Sequence, residues 1–180
     1  QQASFQSQPR QSERELVTGE SHYFFGHRYR LEVIERQGRH EVNIKNNSTL
    51  QLFVNPGTTK INRALVLNEW YRQQLKSRIP KLLSRWEPVI GKQVSDWGIK
   101  KMKTKWGSCN ISQGRIWLNL ELAKKPVDCL EYVLVHELVH LLERQHGERF
   151  KEHMNHFLPR WKQYRDVLKC EPLKDETWLN

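Results

Sequence analysis

The sequence has few cysteines and no long apolar run, and each absence excludes a class of protein. Its three cysteines, Cys109, Cys129 and Cys170, are far apart and odd in number, and none belongs to a C-x-x-C pair. This spacing argues against a disulfide framework and favours a reducing cytoplasm. No stretch approaches the ~20 apolar residues of a transmembrane helix, and the N-terminus lacks the apolar region of a signal peptide. We therefore expect a cytoplasmic protein with no membrane partner.

Acidic residues are scarce relative to basic ones, and the imbalance is concentrated in one segment. The 180 residues carry a formal charge of +10. Between residues 71 and 105, ten Lys or Arg residues stand against Glu87 and Asp96, which is a local net charge of +8. Four tryptophans lie in or beside this basic segment: Trp70, Trp86, Trp97 and Trp106. Such interleaving is typical of single-stranded nucleic-acid grooves, but the same residues also fit a core of tryptophans with a solvated lysine face.

The stretch from Val133 to Leu142 is predicted to be an apolar helix that contains three polar residues. From Val133 to Leu142 every residue is Val or Leu except His136, Glu137 and His140. On a helix, His136 and His140 lie one turn apart on the same face. This H-E-x-x-H spacing lets two imidazoles hold one metal while the glutamate reaches a water on it. A divalent cation would offset the several kcal/mol that burying these groups costs; two hydrogen-bonded core histidines are the alternative.

His146 is the nearest candidate for a third metal ligand. A catalytic zinc has three protein ligands and one open position. If the helix continued, His146 would lie about 9 Å further along its axis than His140. The helix must therefore end near Glu143 or Arg144 if His146 is a ligand, and Gly147 can take a positive φ and allow the chain to turn back. Other candidates lie on the next predicted helix: Glu148, Glu152, His153 and His156.

The order of predicted elements indicates an α+β fold with one domain over residues 20–168. Residues 1–19 are predicted to be a disordered tail, and residues 169–180 a loose one. Alternating short runs over residues 20–57 predict an antiparallel β meander. Apolar residues at three-to-four spacing predict helix over 58–91, broken or kinked at Pro80.

A hairpin and the active-site helix are predicted to follow. Val94 to Trp106 is interpreted as one strand, Gly107-Ser108 as a turn, and Arg115 to Leu122 as a second strand. Pro126 suits the first turn of the active-site helix, and packing helices continue to residue 168. Helices packed on a sheet fit this order of elements. A peptide can add to an exposed sheet edge, so these two strands are the natural place for a substrate.

Three blocks of sequence carry a resemblance to a known family. They are Met102-Lys103-Thr104-Lys105-Trp106-Gly107-Ser108-Cys109, then Gly114-Arg115-Ile116-Trp117-Leu118-Asn119, then Tyr132 to Leu141 with His146 and Phe150 downstream. In this order they resemble the YgjP-like metallopeptidases, zincin-fold proteins distantly similar to the SprT proteases. That family has M-K-T-R-W-G-S-C, I-x-L-N and H-E-L-A-H-L blocks followed by N-H-S-x-x-F. The resemblance covers about residues 20–168.

The resemblance implies a zincin-like fold and a zinc-dependent peptidase that acts on protein or peptide substrates. Carried over residue by residue, it implies that His136, His140 and His146 bind Zn²⁺ and that Glu137 is the general base. Four positions depart from the family pattern: Lys105 for Arg, Val139 for Ala, and Gln145 and Gly147 in place of Asn and Ser. The last two flank His146 and can alter its orientation.

Other hypotheses remain open at the level of sequence. The alternative function is a nucleic-acid-associated zinc protein that uses the basic segment 71–105 and has little or no peptidase activity. A thiolate at Cys109 that reached the zinc would keep the enzyme latent, whereas most free cysteines are buried and inert. His153 and Tyr132 are candidates for a second group that stabilises the oxyanion.

Overall fold

The computed structural model describes residues 15–170, and within that range two small sheets are combined with four α-helices. The strands are β1 (Ser21–Phe24), β2 (His27–Glu35), β3 (Glu41–Lys45), β4 (Thr49–Val54), β5 (Asp96–Lys100), β6 (Gly107–Asn110) and β7 (Arg115–Asn119). The helices are α1 (Lys60–Ile90), α2 (Val127–Val139), α3 (Glu148–Phe157) and α4 (Trp161–Lys169), with a 3-10 helix over Leu120–Lys124. The predicted α+β fold class is confirmed.

The first sheet has the order β1-β2-β4-β3, so the predicted antiparallel meander is wrong in one respect. β1 pairs with β2, and β3 with β4, in antiparallel fashion, but β2 and β4 are parallel, with Leu31 opposite Leu50. β4 carries fully buried Leu50 and Leu52, whereas β3 alternates between exposed and half-buried residues. The most apolar strand therefore takes an interior place and the more polar one an edge.

α1 is one helix, so the predicted break at Pro80 is wrong. Its N-terminus is capped by Thr59, whose side chain accepts a hydrogen bond from the Asn62 backbone N–H. Its C-terminus is closed by Gly91, at a φ of 81°. One face is buried at three-to-four spacing: Leu67, Tyr71, Leu75, Ile79, Leu83, Trp86 and Ile90. Pro80 lies on the exposed face, where water can satisfy the carbonyl that it leaves without an intrahelical partner.

The second sheet has the order β5-β7-β6, and it corrects the predicted hairpin. The predicted strand from Val94 to Trp106 is too long, because β5 ends at Lys100, and Gly107-Ser108 begins β6 instead of forming a turn. β5 pairs with β7 in parallel and β6 pairs with β7 in antiparallel fashion. The reason lies in buried Asn119, whose side-chain amide donates hydrogen bonds to the carbonyl oxygens of Met102 and Lys105. These bonds hold residues 101–106 as a loop.

The core is centred on α2, which is buried at Cys129 and Leu130 and throughout Tyr132 to Val139. α2 is in contact with α1, α3, α4 and the second sheet. Leu16 is also buried, and its carbonyl accepts a hydrogen bond from Arg63. Residues 15–19 therefore pack on the domain and do not belong to the predicted tail, whereas residues 1–14 and 171–180 lie outside the described range. None of the described helices is long and apolar enough to cross a membrane.

Candidate metal centre

The H-E-x-x-H motif lies at the C-terminal end of α2, where the helix stops. The last helical residue is Val139 and the cap is His140, so the helix ends earlier than the predicted Glu143 or Arg144. The turn is closed by short-range bonds, such as that from the Glu143 N–H to the Val139 carbonyl. Gly147 has a φ of −82°, so the predicted positive φ is wrong and the chain turns back without a left-handed residue there.

This turn brings the third histidine onto the other two. The Nε2 atom of His146 lies 2.8 Å from Nε2 of His140 and 3.1 Å from Nε2 of His136. Three nitrogens bound tetrahedrally at 2.0–2.1 Å from a zinc ion would be about 3.3 Å apart. Among the described residues, these three histidines are the cluster of ligand-type side chains close enough to share one metal ion. The side chains therefore fit a metal with little rearrangement.

The tautomer of His140 also suits metal binding. Its Nδ1 atom lies 3.2 Å from the carbonyl oxygen of Glu143, which can only accept a hydrogen bond. Nδ1 therefore carries the proton, and the lone pair of Nε2 faces the other two imidazoles. A backbone carbonyl in this position is the usual partner that orients a metal-binding histidine.

The three imidazoles are neutral at neutral pH, which is the form that binds metals. Burial, with a smaller contribution from the nearby His146, lowers the pKa of His140 to about 4. Burial also holds the pKa of His136 well below its usual value, with smaller contributions from its two neighbours, and it lowers the pKa of His146. Metal binding at pH 7 therefore needs no proton to be removed from these groups.

The ring of Phe150 packs against all three histidines on one side of the site. Its ring centroid lies 4.8 Å from that of His136, 4.7 Å from that of His140 and 4.9 Å from that of His146. The side chain is buried and belongs to the first turn of α3. A buried aromatic ring in this position limits the access of water to one side of the site and lowers the local dielectric constant. Sequence reasoning quoted Phe150 as part of a motif but gave it no role.

Glu137 is held against the edge strand β6. Its side chain is 1% exposed and lines a cavity of about 640 Å³ together with His140 and His146. A Cβ atom placed on Gly107 would lie 3.1 Å from Oε1 of Glu137, 3.0 Å from its Cγ and 2.8 Å from a methyl carbon of Val133. Glycine at this position therefore leaves the room that the carboxylate occupies. Sequence reasoning missed this contact because it assigned Gly107 to a turn.

We expect Gly107→Ala to lower the peptidase activity that the sequence resemblance implies, while the fold is retained. The added methyl group must displace Glu137 or Val133, and a misplacement of about 1 Å can cost on the order of 10²-fold in rate. Gly147→Ala is the matched control, because its φ is ordinary and a Cβ there would meet nothing within 4 Å. The measurement is the rate of peptide cleavage at equal metal content. Equal rates for Gly107→Ala and wild type would show that Gly107 does not position Glu137.

The other sequence candidates do not join the cluster of three histidines. Glu148, Glu152, His153 and His156 lie on α3, outside the set of ligand-type side chains that share one point. His153 stacks on Phe157, and neither His153 nor Tyr132 lines the cavity beside Glu137. Tyr132 is instead buried in the core, where its ring meets that of His136 edge to face, with the ring centroids 6.0 Å apart.

Cys109 lies on β6 and lines the same cavity as Glu137. Burial, with a smaller contribution from the charge of Glu137, raises the pKa of its thiol to about 12. These surroundings favour the protonated thiol over the thiolate. Latency through Cys109 stays a prediction.

The tryptophans of the basic segment are divided between core and partly buried positions. Trp86 and Trp106 are buried, and Trp70 and Trp97 pack against the core. Trp70 lies 4.6 Å from Phe24, centroid to centroid. This arrangement agrees with a core role, and nucleic-acid binding stays untested.

The chain is similar to a known protein family and to a solved structure. A family model described as YgjP-like, metallopeptidase domain, matches residues 1–171. The crystal structure of the metallopeptidase zymogen of Pyrococcus abyssi abylysin is 21% identical, with a TM-score of 0.49. That match covers 55% of this chain and 99% of the other. No curated protein matches the chain.

Proposed function

The chain belongs to the YgjP-like metallopeptidase family, and from this premise we propose that it is a zinc-dependent peptidase. In this proposal His136, His140 and His146 hold the metal, and Glu137 is the general base. The observation that carries it is the convergence of three imidazole Nε2 atoms at 2.8 and 3.1 Å beside a buried glutamate. Three nitrogen ligands leave one position of a tetrahedral zinc site for water, as in catalytic sites.

The metal, when bound, supplies a water whose pKa is lowered to about 7 and a Lewis acid for the substrate carbonyl. Glu137 accepts the proton of the attacking water as the new C–O bond forms. The same carboxylic acid then gives that proton to the amide nitrogen as the peptide C–N bond breaks. The position of Glu137 supports both roles, because the carboxylate lines the cavity that also contains His140 and His146.

The edge position of strand β6 supports the proposal that the substrate is a protein or peptide. It is the last strand in the order β5-β7-β6, so among the described strands it pairs with β7 alone. Ser108, Cys109 and Asn110 of this strand line the same cavity as Glu137. An extended peptide that added to β6 would form backbone hydrogen bonds without regard to its sequence. Its scissile carbonyl would then lie beside the metal.

Metal removal and restoration test this function directly. We expect zinc-loaded protein to cleave an unfolded protein substrate, chelation to abolish cleavage, and added Zn²⁺ to restore it, because the attacking water depends on the metal. Metal content by atomic emission and product formation by mass spectrometry are measured on the same samples. Fully loaded protein that cleaves neither unfolded proteins nor a peptide library would contradict the proposal.

A further inference from the structure

The cavity beside Glu137 is bordered by two cations that the proposed mechanism does not use. Lys105 and Arg144 line it together with His140 and His146. Both cationic side chains are exposed, and we call this pair the cationic rim. Glu137 is the one acidic residue among the described residues of the lining. The rim therefore brings an excess of positive side-chain charge to the cavity.

Neither cation of the rim is neutralised by an acid within residues 15–170. The ion pairs of this part of the chain involve other lysines and arginines. Glu137 is 1% exposed and packs against Gly107 of β6. Unpaired cations at the edge of a cavity attract an acidic group of a ligand and repel a basic one.

The backbone of Lys105 is fixed by buried Asn119. The side-chain amide of Asn119 donates a hydrogen bond to the Lys105 carbonyl oxygen at 2.8 Å. The backbone N–H of Asn119 donates one to the Trp106 carbonyl oxygen at 2.9 Å. Lys105 precedes Gly107 by two residues, so their Cα atoms are at most about 7.6 Å apart. Lys105 is therefore carried by an anchored segment next to the position of Glu137.

The backbone of Arg144 is placed by the turn that leads to His146. Nδ1 of His140 lies 3.2 Å from the carbonyl oxygen of Glu143, and the Glu143 N–H bonds to the Val139 carbonyl. Arg144 follows Glu143 directly and precedes His146 by two residues, again a Cα separation of at most about 7.6 Å. The two cations thus come from separate segments, each of them two residues from the site.

The lining of the cavity favours a peptide over a nucleic acid as the source of the acidic group. Single-stranded nucleic acid is bound by stacking of its bases on aromatic side chains along a basic groove. The described residues of this lining include no Phe, Tyr or Trp. They do include Ser108, Cys109 and Asn110 of the edge strand β6, with which a peptide backbone can pair.

We propose that the cationic rim selects peptide substrates with acidic residues within about two positions of the scissile bond. A peptide paired with β6 advances about 3.4 Å per residue. If its scissile carbonyl lies beside Glu137, side chains one or two positions away come within reach of Lys105 and Arg144. This inference rests on the proposed function and names the substrate class.

Cleavage of a matched pair of peptides tests the selection. The two peptides share a cleavage site and carry either Glu or Gln at the two positions on each side of the scissile bond. In zinc-loaded wild type at low ionic strength we expect kcat/KM to be about tenfold higher for the Glu peptide. An exposed ion pair contributes up to about fivefold, and about threefold from each cation gives this ratio. High salt should lower it by screening.

Substitution of the two cations should remove the preference stepwise. We expect the ratio to fall to about threefold in Lys105→Gln and in Arg144→Gln, and to about one in the double variant. Lys105→Arg keeps the charge and should keep the ratio. Lys103→Gln and Arg149→Gln are the matched controls, because they remove the same charges at exposed positions outside the cavity lining. Circular dichroism and zinc content check that each variant is folded and loaded.

Peptide binding, measured without turnover, separates the selection from the peptidase proposal. Fluorescence anisotropy with zinc-loaded Glu137→Gln protein gives the affinity for each labelled peptide. Tighter binding of the Glu peptide that is lost in the double variant, without cleavage by wild type, would support the selection and contradict peptidase activity. Cleavage of both peptides at equal rates would overturn the selection alone, as would a ratio unchanged in the double variant.

A single-stranded oligonucleotide is the competing ligand in the same binding assay. If it bound more tightly than the Glu peptide and lost its affinity in the double variant, the cations would be assigned to nucleic acid and the selection of acidic peptides would be overturned. We expect the oligonucleotide to bind more weakly, because the cavity offers its bases no aromatic side chain on which to stack.

Discussion

Replacement of Glu137 by Gln is expected to leave the metal content unchanged and to lower peptide cleavage by about 10²–10⁴-fold, the usual contribution of a general base. Gln has the shape of Glu, so it keeps the packing against Gly107 and Val133. The neutral amide cannot accept the proton of the attacking water. The three histidines, which are expected to hold the metal, are unaltered. Cleavage rates and zinc content are measured on the same preparation.

Glu143→Gln is the matched control for this experiment. Glu143 lies in the turn after α2 and interacts with His140 through its backbone carbonyl, which the substitution leaves in place. Its side chain does not line the cavity at the metal centre. We expect Glu143→Gln to cleave at the wild-type rate. A Glu137→Gln protein that holds zinc and cleaves as fast as wild type would rule out Glu137 as the base.

Replacement of His146 by Ala is expected to remove most of the bound zinc and, with it, the activity. The Nε2 atom of His146 is the one that lies within 3.1 Å of both other imidazoles, so its loss leaves two protein ligands. Loss of a residue that hydrogen-bonds to a metal ligand lowers metal affinity by roughly 10–100-fold. Loss of a ligand itself should lower the affinity for zinc by more. His146 is exposed in a turn, so the fold should survive.

The control for this second experiment is His153→Ala. His153 lies on α3 and stacks on Phe157, outside the cluster of three histidines. Zinc titration with a competing chelator is expected to give the wild-type affinity for His153→Ala and a much weaker one for His146→Ala. Unchanged affinity in His146→Ala would move the third ligand to another residue.

The sequence predicted the family and the α+β class well, because both depend on local patterns. The family predicted from the three blocks between Met102 and Phe150 is confirmed by a family match over residues 1–171. Helix α1 was predicted from the spacing of its apolar residues. Its ends are set by residue types that commonly cap helices, a threonine at Thr59 and a left-handed glycine at Gly91. The error at Pro80 arose because a proline on the exposed face of a well-packed helix costs less than loss of the packing would.

Strand pairing was predicted less well. Alternation of apolar and polar residues shows which face of a strand is buried, but not which strand lies beside it. The parallel pairing of β2 with β4 and of β5 with β7 therefore could not be read from periodicity. The loop before β6 depends on hydrogen bonds from Asn119, which is more than ten residues away in sequence from the carbonyls that it binds.

At the candidate metal site, the sequence by itself determined that His136 and His140 share a helix face and that Glu137 lies beside them. The reason is that residues four apart on a helix share a face in any fold that contains the helix. Only the tertiary structure decided where His146 lies, because its approach depends on a turn that contains no positive-φ residue. Contact between Gly107 and Glu137 was likewise decided by the packing of β6 on α2, two elements that the sequence separates by a strand and a 3-10 helix.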